Sequence, residues 1–244
     1  MPENKYDDPV FFKKYSQMDR SRQGLDGAGE WKTLKALLPD FKGKRLLDLG
    51  CGYGWHCIYA MEQGAFSATG IDISEKMLAV AREKTRCQGV TYVRMPIEAI
   101  DFAHNSFDIV LSSLALHYVP SFDAVAKRVR ACLTQGGCFI FSVEHPIFTA
   151  EGSQDWVYDD REQIAHFPVD NYFYEGERRA NFLDETVTKY HKTLTTYLDG
   201  LLDNGFELTR IVEPKPPASM MDCPEMKDEM RRPMMLIVSA RRRD

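Results

Sequence analysis

The chain has 244 residues, of which 44% are hydrophobic and 27% are charged, and its formal net charge at pH 7 is −5. This composition is typical of a soluble globular protein with one sizeable core. The sequence contains no apolar run of about 18 residues, and its polar, acidic beginning does not resemble a targeting segment. We therefore expect no membrane association. The acidic balance also argues against a nucleic-acid partner, because binding to phosphates needs a basic face.

The cysteines are scattered through mostly apolar contexts. None forms a CxxC pair, and none lies at zinc-finger spacing from another cysteine or a histidine. The pattern predicts buried free thiols in a reducing compartment, so we expect a cytoplasmic protein without a metal site. The six positions are Cys51, Cys57, Cys87, Cys132, Cys138 and Cys223.

After a polar leader, short apolar runs alternate with helical patterns from residue 45 to about residue 145. This alternation predicts a mostly parallel sheet with helices on both faces. The predicted strands are short and rich in β-branched or aromatic residues, as strands buried on both faces are. They span residues 45–49, 68–72, 91–94, 107–113 and 138–143.

Three helices are indicated by apolar stripes and helix-end signals. One stripe begins at Phe122 and ends before Gly136, and another begins at Leu194 and ends before Gly205. Ser74 stands where its side chain can cap a third helix. A strand beginning at Phe206 and a last strand over residues 234–240 are separated by a proline-rich loop with no strong helix pattern. We expect these two strands to pair antiparallel at the sheet edge, which gives seven strands.

Residues 146–191 fit no regular unit. These 46 residues include nine aromatic side chains, and ten acidic against four basic ones. Long insertions after the carboxyl end of a strand usually cover a site or form an interface. We interpret the segment as a cap over the carboxyl edge of the sheet, and a dimerisation or packing flap is the alternative.

The first predicted strand runs directly into a glycine-rich loop. Residues 46–55 read LLDLGCGYGW, with glycine at 50, 52 and 54. Alternate glycines let the backbone turn sharply and approach a ligand at the edge where open α/β sheets bind one. Trp55 stands where a dinucleotide fingerprint needs its third glycine, and the Gly-Lys-Ser/Thr of a Walker A loop is absent. The loop therefore favours a ligand other than a dinucleotide or a nucleoside triphosphate.

Two carboxylates extend this pattern. Asp48 lies two residues before the first glycine, where an acidic side chain suits a cationic ligand better than a polyphosphate. Asp72 ends the second strand, where a carboxylate can accept two hydrogen bonds from a ribose diol. Together they indicate an adenosine-containing cofactor without phosphates.

Residues 45–145 resemble the class I S-adenosylmethionine-dependent methyltransferases, particularly the bacterial small-molecule enzymes of the type 11 group. The matching motifs are residues 46–54, residues 70–72 and the stretch NSFDIVLSSLALHYV at 105–119. The resemblance implies a Rossmann-like α/β fold, S-adenosylmethionine as cofactor and methyl transfer as the activity. It also implies four parts of the chain: a helical lid at 1–44, a cofactor-binding core at 45–145, the inserted substrate cap at 146–191, and a last helix and strand pair at 192–244.

The resemblance also implies roles for individual residues. Ser112, Ser113 and Leu114 would lie beside the methionine amino group. Pro96 stands where the family usually has an acid that contacts adenine, so Glu98 is the substitute candidate. The full set of implied cofactor residues is Tyr15, Arg20, Asp48, Gly50, Cys51, Gly52, Asp72, Ile73, Ile97, Glu98, Ser112, Ser113 and Leu114.

A general base is needed only if the methyl acceptor must lose a proton. The base candidates at the carboxyl edge are His117, Glu144 and His145, of which His117 is preferred. The cap could line the acceptor pocket with Tyr172, Tyr174, Tyr190 and His191. We expect a small-molecule acceptor and a monomer or homodimer. The alternatives are a protein or RNA methyltransferase, a non-catalytic protein that binds the cofactor or a partner, and, more distantly, an NAD-dependent oxidoreductase.

Overall fold

The computed structural model describes residues 4–218, 221–222 and 224–244, so Cys223 lies outside the described residues. Seven strands of the described chain form the main sheet, in the order β10-β11-β5-β4-β1-β2-β3. The strands in chain order are β1 Arg45–Leu49, β2 Ser67–Asp72, β3 Val90–Arg94, β4 Phe107–Ser113, β5 Leu133–Glu144, β6 Val157–Tyr158, β7 Ile164–His166, β8 Gly176–Phe182, β9 Glu185–His191, β10 Phe206–Val212 and β11 Met235–Arg242.

The sheet has the fold class that the sequence predicts. β1 to β5 pair in parallel, and β11 pairs antiparallel with both β5 and β10. The antiparallel pair lies at the predicted side of the sheet, with β10 outermost and β11 second from the edge. β5 starts five residues earlier than expected, because Leu133 already pairs with Phe107 of β4, before an irregularity in the pairing that contains Gly136 at φ +70°.

Helices cover both faces of this sheet. The predicted cap of Ser74 is present, since its Oγ accepts a hydrogen bond from the backbone N–H of Met77 at 3.1 Å. The α-helices in chain order are α1 Pro9–Ser16, α2 Asp19–Arg22, α3 Trp31–Leu37, α4 Trp55–Glu62, α5 Glu75–Lys84, α6 Phe122–Cys132, α7 Pro146–Ala150, α8 Leu194–Asp203 and α9 Pro224–Asp228. None of the helices in the described part of the chain is long and apolar enough to cross a membrane.

Alternate residues of the strands enter two separate cores. Leu47 and Leu49 pack with α6 and α8 on one face, whereas Leu46 packs with α3 and α4 on the other. This burial on both faces explains why the parallel strands are apolar throughout. The prediction of buried cysteines holds for Cys51, Cys57 and Cys132, but Cys138 is only partly buried. It is wrong for Cys87, which is exposed because it lies in the turn between α5 and β3.

The segment after β5 folds into α7 and two hairpins, β6–β7 and β8–β9. The β8–β9 hairpin packs on α1 through a third apolar cluster that contains Phe11, Ala180 and Val187. Lys14 of α1 also donates a hydrogen bond to the carbonyl of Leu183 at 2.9 Å. The N-terminal helix and this hairpin therefore form one layer beside the carboxyl edge of the sheet.

Candidate active site

One large cavity of about 900 Å³ lies at the carboxyl ends of the parallel strands. Its walls come from the loops after β1, β2, β3 and β4, from the N-terminal segment, from the β8–β9 hairpin and from the loop before β11. A volume in the range of about 300–1,000 Å³ is usual for small-molecule and cofactor sites. The cavity therefore joins the glycine-rich loop and the inserted segment in one space.

The glycine-rich loop approaches its neighbours too closely for side chains. Gly50 has φ +71°, and a Cβ on it would lie 2.5 Å from the Cβ of Ala115. A Cβ on Gly54, with φ +74°, would lie 2.1 Å from Tyr92 Oη. The N–H groups of Gly50 and Cys51 both donate to the carbonyl of Ile71 at 2.9 Å, which holds the turn after β1 against β2. Gly50 and Gly52 line the cavity.

Asp72, at the end of β2, also lines the cavity. Its Oδ2 accepts from the backbone N–H of Gly52 at 2.9 Å, and its Oδ1 accepts from that of Ser74 at 2.8 Å. A carboxylate has about four acceptor sites, so both oxygens can still accept from a ligand. Burial raises the pKa of Asp72 to about 6 despite these bonds.

Asp48 lies below the glycine loop rather than in the cavity. It is fully buried, with Oδ2 3.8 Å from Cys57 Sγ and 3.9 Å from His56 Nδ1. Burial raises its pKa to about 7. Cys51 belongs to the core under the same face, and buried Ser112 donates to the carbonyl of Leu49 at 2.9 Å. The structure therefore keeps the side chains of Asp48, Cys51 and Ser112 away from the cavity wall.

The ends of β3 and β4 supply the next part of the wall. Pro96, Ile97 and Glu98 line the cavity after β3, and Ser113 and Leu114 do so after β4. Leu114 has φ +52°, a backbone conformation that costs an L-residue free energy and is concentrated at functional sites. Its N–H donates to the carbonyl of Ser142 at 2.9 Å, which holds this turn against β5.

The N-terminal segment brings a buried ion pair to the cavity. Arg20 Nη2 donates to Glu30 Oε1 at 2.6 Å, and both residues line the cavity, as does Tyr15. Glu30 is only 3% exposed, although it lies in a loop. Its Oε2 is buried and has no hydrogen-bond partner among the described residues.

A second buried ion pair lies at the end of β5. Lys189 of β9 donates to Glu144 Oε1 at 2.7 Å and to Gln154 Oε1 at 2.8 Å. Burial would raise the pKa of Glu144, but the charge of Lys189 and the hydrogen bonds from Lys189 and Gln154 hold that pKa below its ordinary value. The carboxylate is therefore ionised, and it has little tendency to take a proton.

His117 contacts the backbone of Glu144. The backbone N–H of Glu144 donates to His117 Nδ1 at 3.3 Å, and burial lowers the pKa of His117 to about 4. The imidazole is therefore neutral near pH 7, and because Nδ1 accepts, its proton is on Nε2. In this tautomer the ring presents a donor to a further partner.

The other predicted acceptor residues are distributed differently. Tyr190 lines the cavity, but His145, Tyr172, Tyr174 and His191 do not. His145 Nε2 lies 3.0 Å from Glu213 Oε1, and Tyr174 is 75% exposed. His191 Nδ1 lies 2.8 Å from Thr149 Oγ1, and His191 Nε2 lies 2.8 Å from the carbonyl oxygen of Tyr172. Both ring nitrogens therefore have hydrogen-bond partners within the fold.

The sequence interpretation missed Glu30 and Lys189. The burial of β9 alternates, with Val187, Lys189 and His191 on the inner side. In the sequence, a strand over residues 185–191 would have put Lys189 on the same face as the apolar Val187, which was the available signal for its burial. Glu30 gave no comparable signal, because it lies in a glycine-rich loop whose path depends on tertiary contacts. Within residues 4–218, 221–222 and 224–244, no group of three or more His, Cys, Asp or Glu side chains could hold a metal ion.

Known proteins resemble this chain over almost its whole length. A structure from Listeria monocytogenes, described as an S-adenosylmethionine-dependent methyltransferase, is 53% identical, covers 91% of this chain and 100% of that chain, and has a TM-score of 0.87. A second such structure, from Mesorhizobium loti, is 43% identical with a TM-score of 0.84 and covers 90% of this chain and 100% of that chain. A "Methyltransferase domain" family model matches residues 47–141. The chain belongs to the class I S-adenosylmethionine-dependent methyltransferases.

A protein of Haemophilus influenzae is also 34% identical to this methyltransferase, over 97% of this chain and 96% of its own length. The relationship therefore includes the inserted segment and the strands after it, beyond the cofactor-binding core alone.

S-adenosylmethionine is the cofactor of this methyltransferase, and the residues at the cavity fit it. The backbone at Gly50 leaves room where a side chain would block a ligand, and Asp72 keeps acceptor capacity for hydroxyl groups. The phosphate-binding lysine that a nucleoside triphosphate needs does not follow the glycine loop.

Proposed function

We propose that this methyltransferase acts on a small-molecule acceptor that binds between the glycine-rich edge of the sheet and the inserted segment. The observation that supports this proposal is the continuous cavity, which has the loops after β1, β2 and β4 on one side and Phe182 and Tyr190 on the other. A macromolecule would need an open surface, whereas enclosed clefts suit small ligands.

The cofactor placement is part of the proposal. Asp72 would accept hydrogen bonds from the ribose hydroxyls, and Ile73 and Ile97 would pack against adenine, with Glu98 near its amino group. Gly50, Gly52, Ser113 and Leu114 would contact the methionine half, together with Tyr15 and Arg20 of the N-terminal segment. Each of these residues lines the cavity.

The bound cofactor supplies a methyl group already activated by the positive sulfonium, so the chain must mainly bind, orient and exclude water. His117, Glu144 and Lys189 form the polar part of the acceptor side, next to apolar residues such as Phe182 and Val187. We propose that His117 donates a hydrogen bond from Nε2 to a polar atom of the acceptor, rather than removing a proton. Segment 146–191 would act as the substrate cap through β8 and β9.

The experiment is a transfer assay with three fractions of a cell extract: small molecules, protein and RNA. We expect S-adenosylhomocysteine to form with the small-molecule fraction alone. Asp72→Ala is the control variant. Losing a charge-assisted contact to the ribose should weaken cofactor binding by about 1.5–3 kcal/mol, so this variant should form less S-adenosylhomocysteine than the wild type. Product formation with protein or RNA would overturn the proposal. Binding of S-adenosylmethionine without product from any fraction would favour a non-catalytic role.

A further inference from the structure

Glu30 is a buried carboxylate with one oxygen unused. Its Oε1 accepts from Arg20 Nη2 at 2.6 Å and from Ser113 Oγ at 3.4 Å. Its Oε2 is buried and, among the residues the structure describes, has no hydrogen-bond partner. An unsatisfied buried carboxylate oxygen is costly, so a protein that retains one usually supplies it with a partner at some stage of its function.

The position of Glu30 restricts what that partner can be. Glu30 contacts Ser113 at the end of β4, whereas Asp72 lies at the end of β2. β1 and its glycine loop lie between these two strands. A ligand with its ribose at Asp72 that passes over Gly50 therefore reaches Glu30 and Arg20 with its opposite end.

We propose that Glu30 accepts a hydrogen bond from the α-ammonium group of the cofactor's methionine half, while Arg20 binds the α-carboxylate. An ammonium group has donors only, and a carboxylate has acceptors only. The four groups would then alternate in charge, so that each buried charge has an opposite neighbour. This inference rests on the proposed cofactor placement but not on the identity of the acceptor.

The experiment measures binding by calorimetry for the wild type and Glu30→Gln. Glutamine keeps an oxygen for Arg20 but loses the negative charge, so the fold should be retained. The three ligands are S-adenosylhomocysteine, decarboxylated S-adenosylmethionine, which keeps the amine but lacks the carboxylate, and 5′-methylthioadenosine, which lacks both. We expect Glu30→Gln to weaken the first two by about tenfold to a hundredfold and 5′-methylthioadenosine by less than about twofold.

Glu98→Gln is the matched control, because it makes the same chemical change at the proposed adenine end of the same cavity. Any effect of this variant should be equal for all three ligands. Equal weakening of all three by Glu30→Gln would show a structural role and overturn the inference, as would unchanged binding of S-adenosylhomocysteine. If the wild type binds S-adenosylhomocysteine no better than 5′-methylthioadenosine, the placement of the methionine half fails as well. Wild-type discrimination between them with no effect of Glu30→Gln contradicts the role of Glu30 alone.

Discussion

The two halves of the cavity are built in different ways. The sheet half consists of short loops that directly follow β1, β2 and β4, and much of its surface is backbone or a side chain held by backbone groups. The other half brings together three segments far apart in the chain, within residues 5–30, 148–190 and 214–235. The first half depends on local sequence, whereas the second depends on ion pairs and apolar contacts between distant residues. Substitutions in the first half should therefore act mainly through backbone conformation and steric contact. Substitutions in the second half should act mainly through lost ion pairs and lost apolar burial.

The largest effect is expected in the second half, from Lys189→Met. The Lys189 side chain is 3% exposed and the Glu144 side chain is 16% exposed, so removing the lysine leaves a largely buried carboxylate without its charged partner. Breaking a buried ion pair in this way costs about 3–5 kcal/mol of the free energy of unfolding. Urea denaturation of the purified variant measures this loss.

The double variant Lys189→Met with Glu144→Gln separates the cost of leaving a buried charge unpaired from the loss of the ion pair itself. It removes the unpaired charge, so it should recover much of the stability lost in the single variant. A loss below about 1 kcal/mol in Lys189→Met would mean that water reaches Glu144 and that the acceptor side is more open than the structure indicates.

The next effect tests the sheet half, through Gly50→Ala. An alanine at φ +71° costs about 1–2 kcal/mol, and its Cβ would collide with that of Ala115, which adds about 1–3 kcal/mol. Gly136→Ala is the control, because Gly136 has φ +70° but no atom within 4 Å of an added Cβ. We expect Gly50→Ala to lose more stability in thermal unfolding than Gly136→Ala, and only the former to abolish binding of S-adenosylhomocysteine. Equal losses would show that close approach at Gly50 is unimportant.

The same difference explains what could be predicted from the sequence. Every strand of the main sheet and the turn after β1 follow from period, glycine spacing and helix caps, which are local signals. Gly50, Gly52 and Asp72 are predicted at one edge because the carboxyl ends of parallel strands meet there, whereas Ser113 is implied by the family resemblance; all four line the cavity.

Side-chain direction near that edge could not be predicted as well. Asp48 is in β1 itself, and the pleat turns its side chain into the core beside Cys57, whereas Asp72, at the last position of β2, reaches the cavity. Among the cap residues, Tyr190 reaches the cavity and Tyr172 does not, because the Tyr172 hydroxyl accepts from the N–H of Leu194 at 3.1 Å. Such choices depend on tertiary contacts that have no local sequence signal.

The smallest expected effect is a pH dependence of cofactor binding through Asp72. Burial raises its pKa to about 6, so the side chain is ionised at pH 7 and mostly protonated at pH 5. The ionised form accepts hydrogen bonds from hydroxyl groups better, so the affinity for S-adenosylhomocysteine should fall by up to about tenfold between pH 7 and pH 5. Calorimetric titration at the two pH values measures the change, and Asp72→Asn should bind weakly at both pH values with no such step.

Stability should show the opposite dependence through the same group. Because the pKa is higher in the folded than in the unfolded chain, the folded state binds more protons between about pH 4 and pH 6. The contribution of Asp72 to stability is therefore fully present below about pH 4 and is lost as the pH rises through about 6. Subtracting the pH profile of Asp72→Asn from that of the wild type isolates this contribution. If the difference between the two stability profiles has the opposite sign, the backbone donors at Gly52 and Ser74 lower the pKa of Asp72 more than burial raises it. The loss of affinity for S-adenosylhomocysteine would then occur below pH 5.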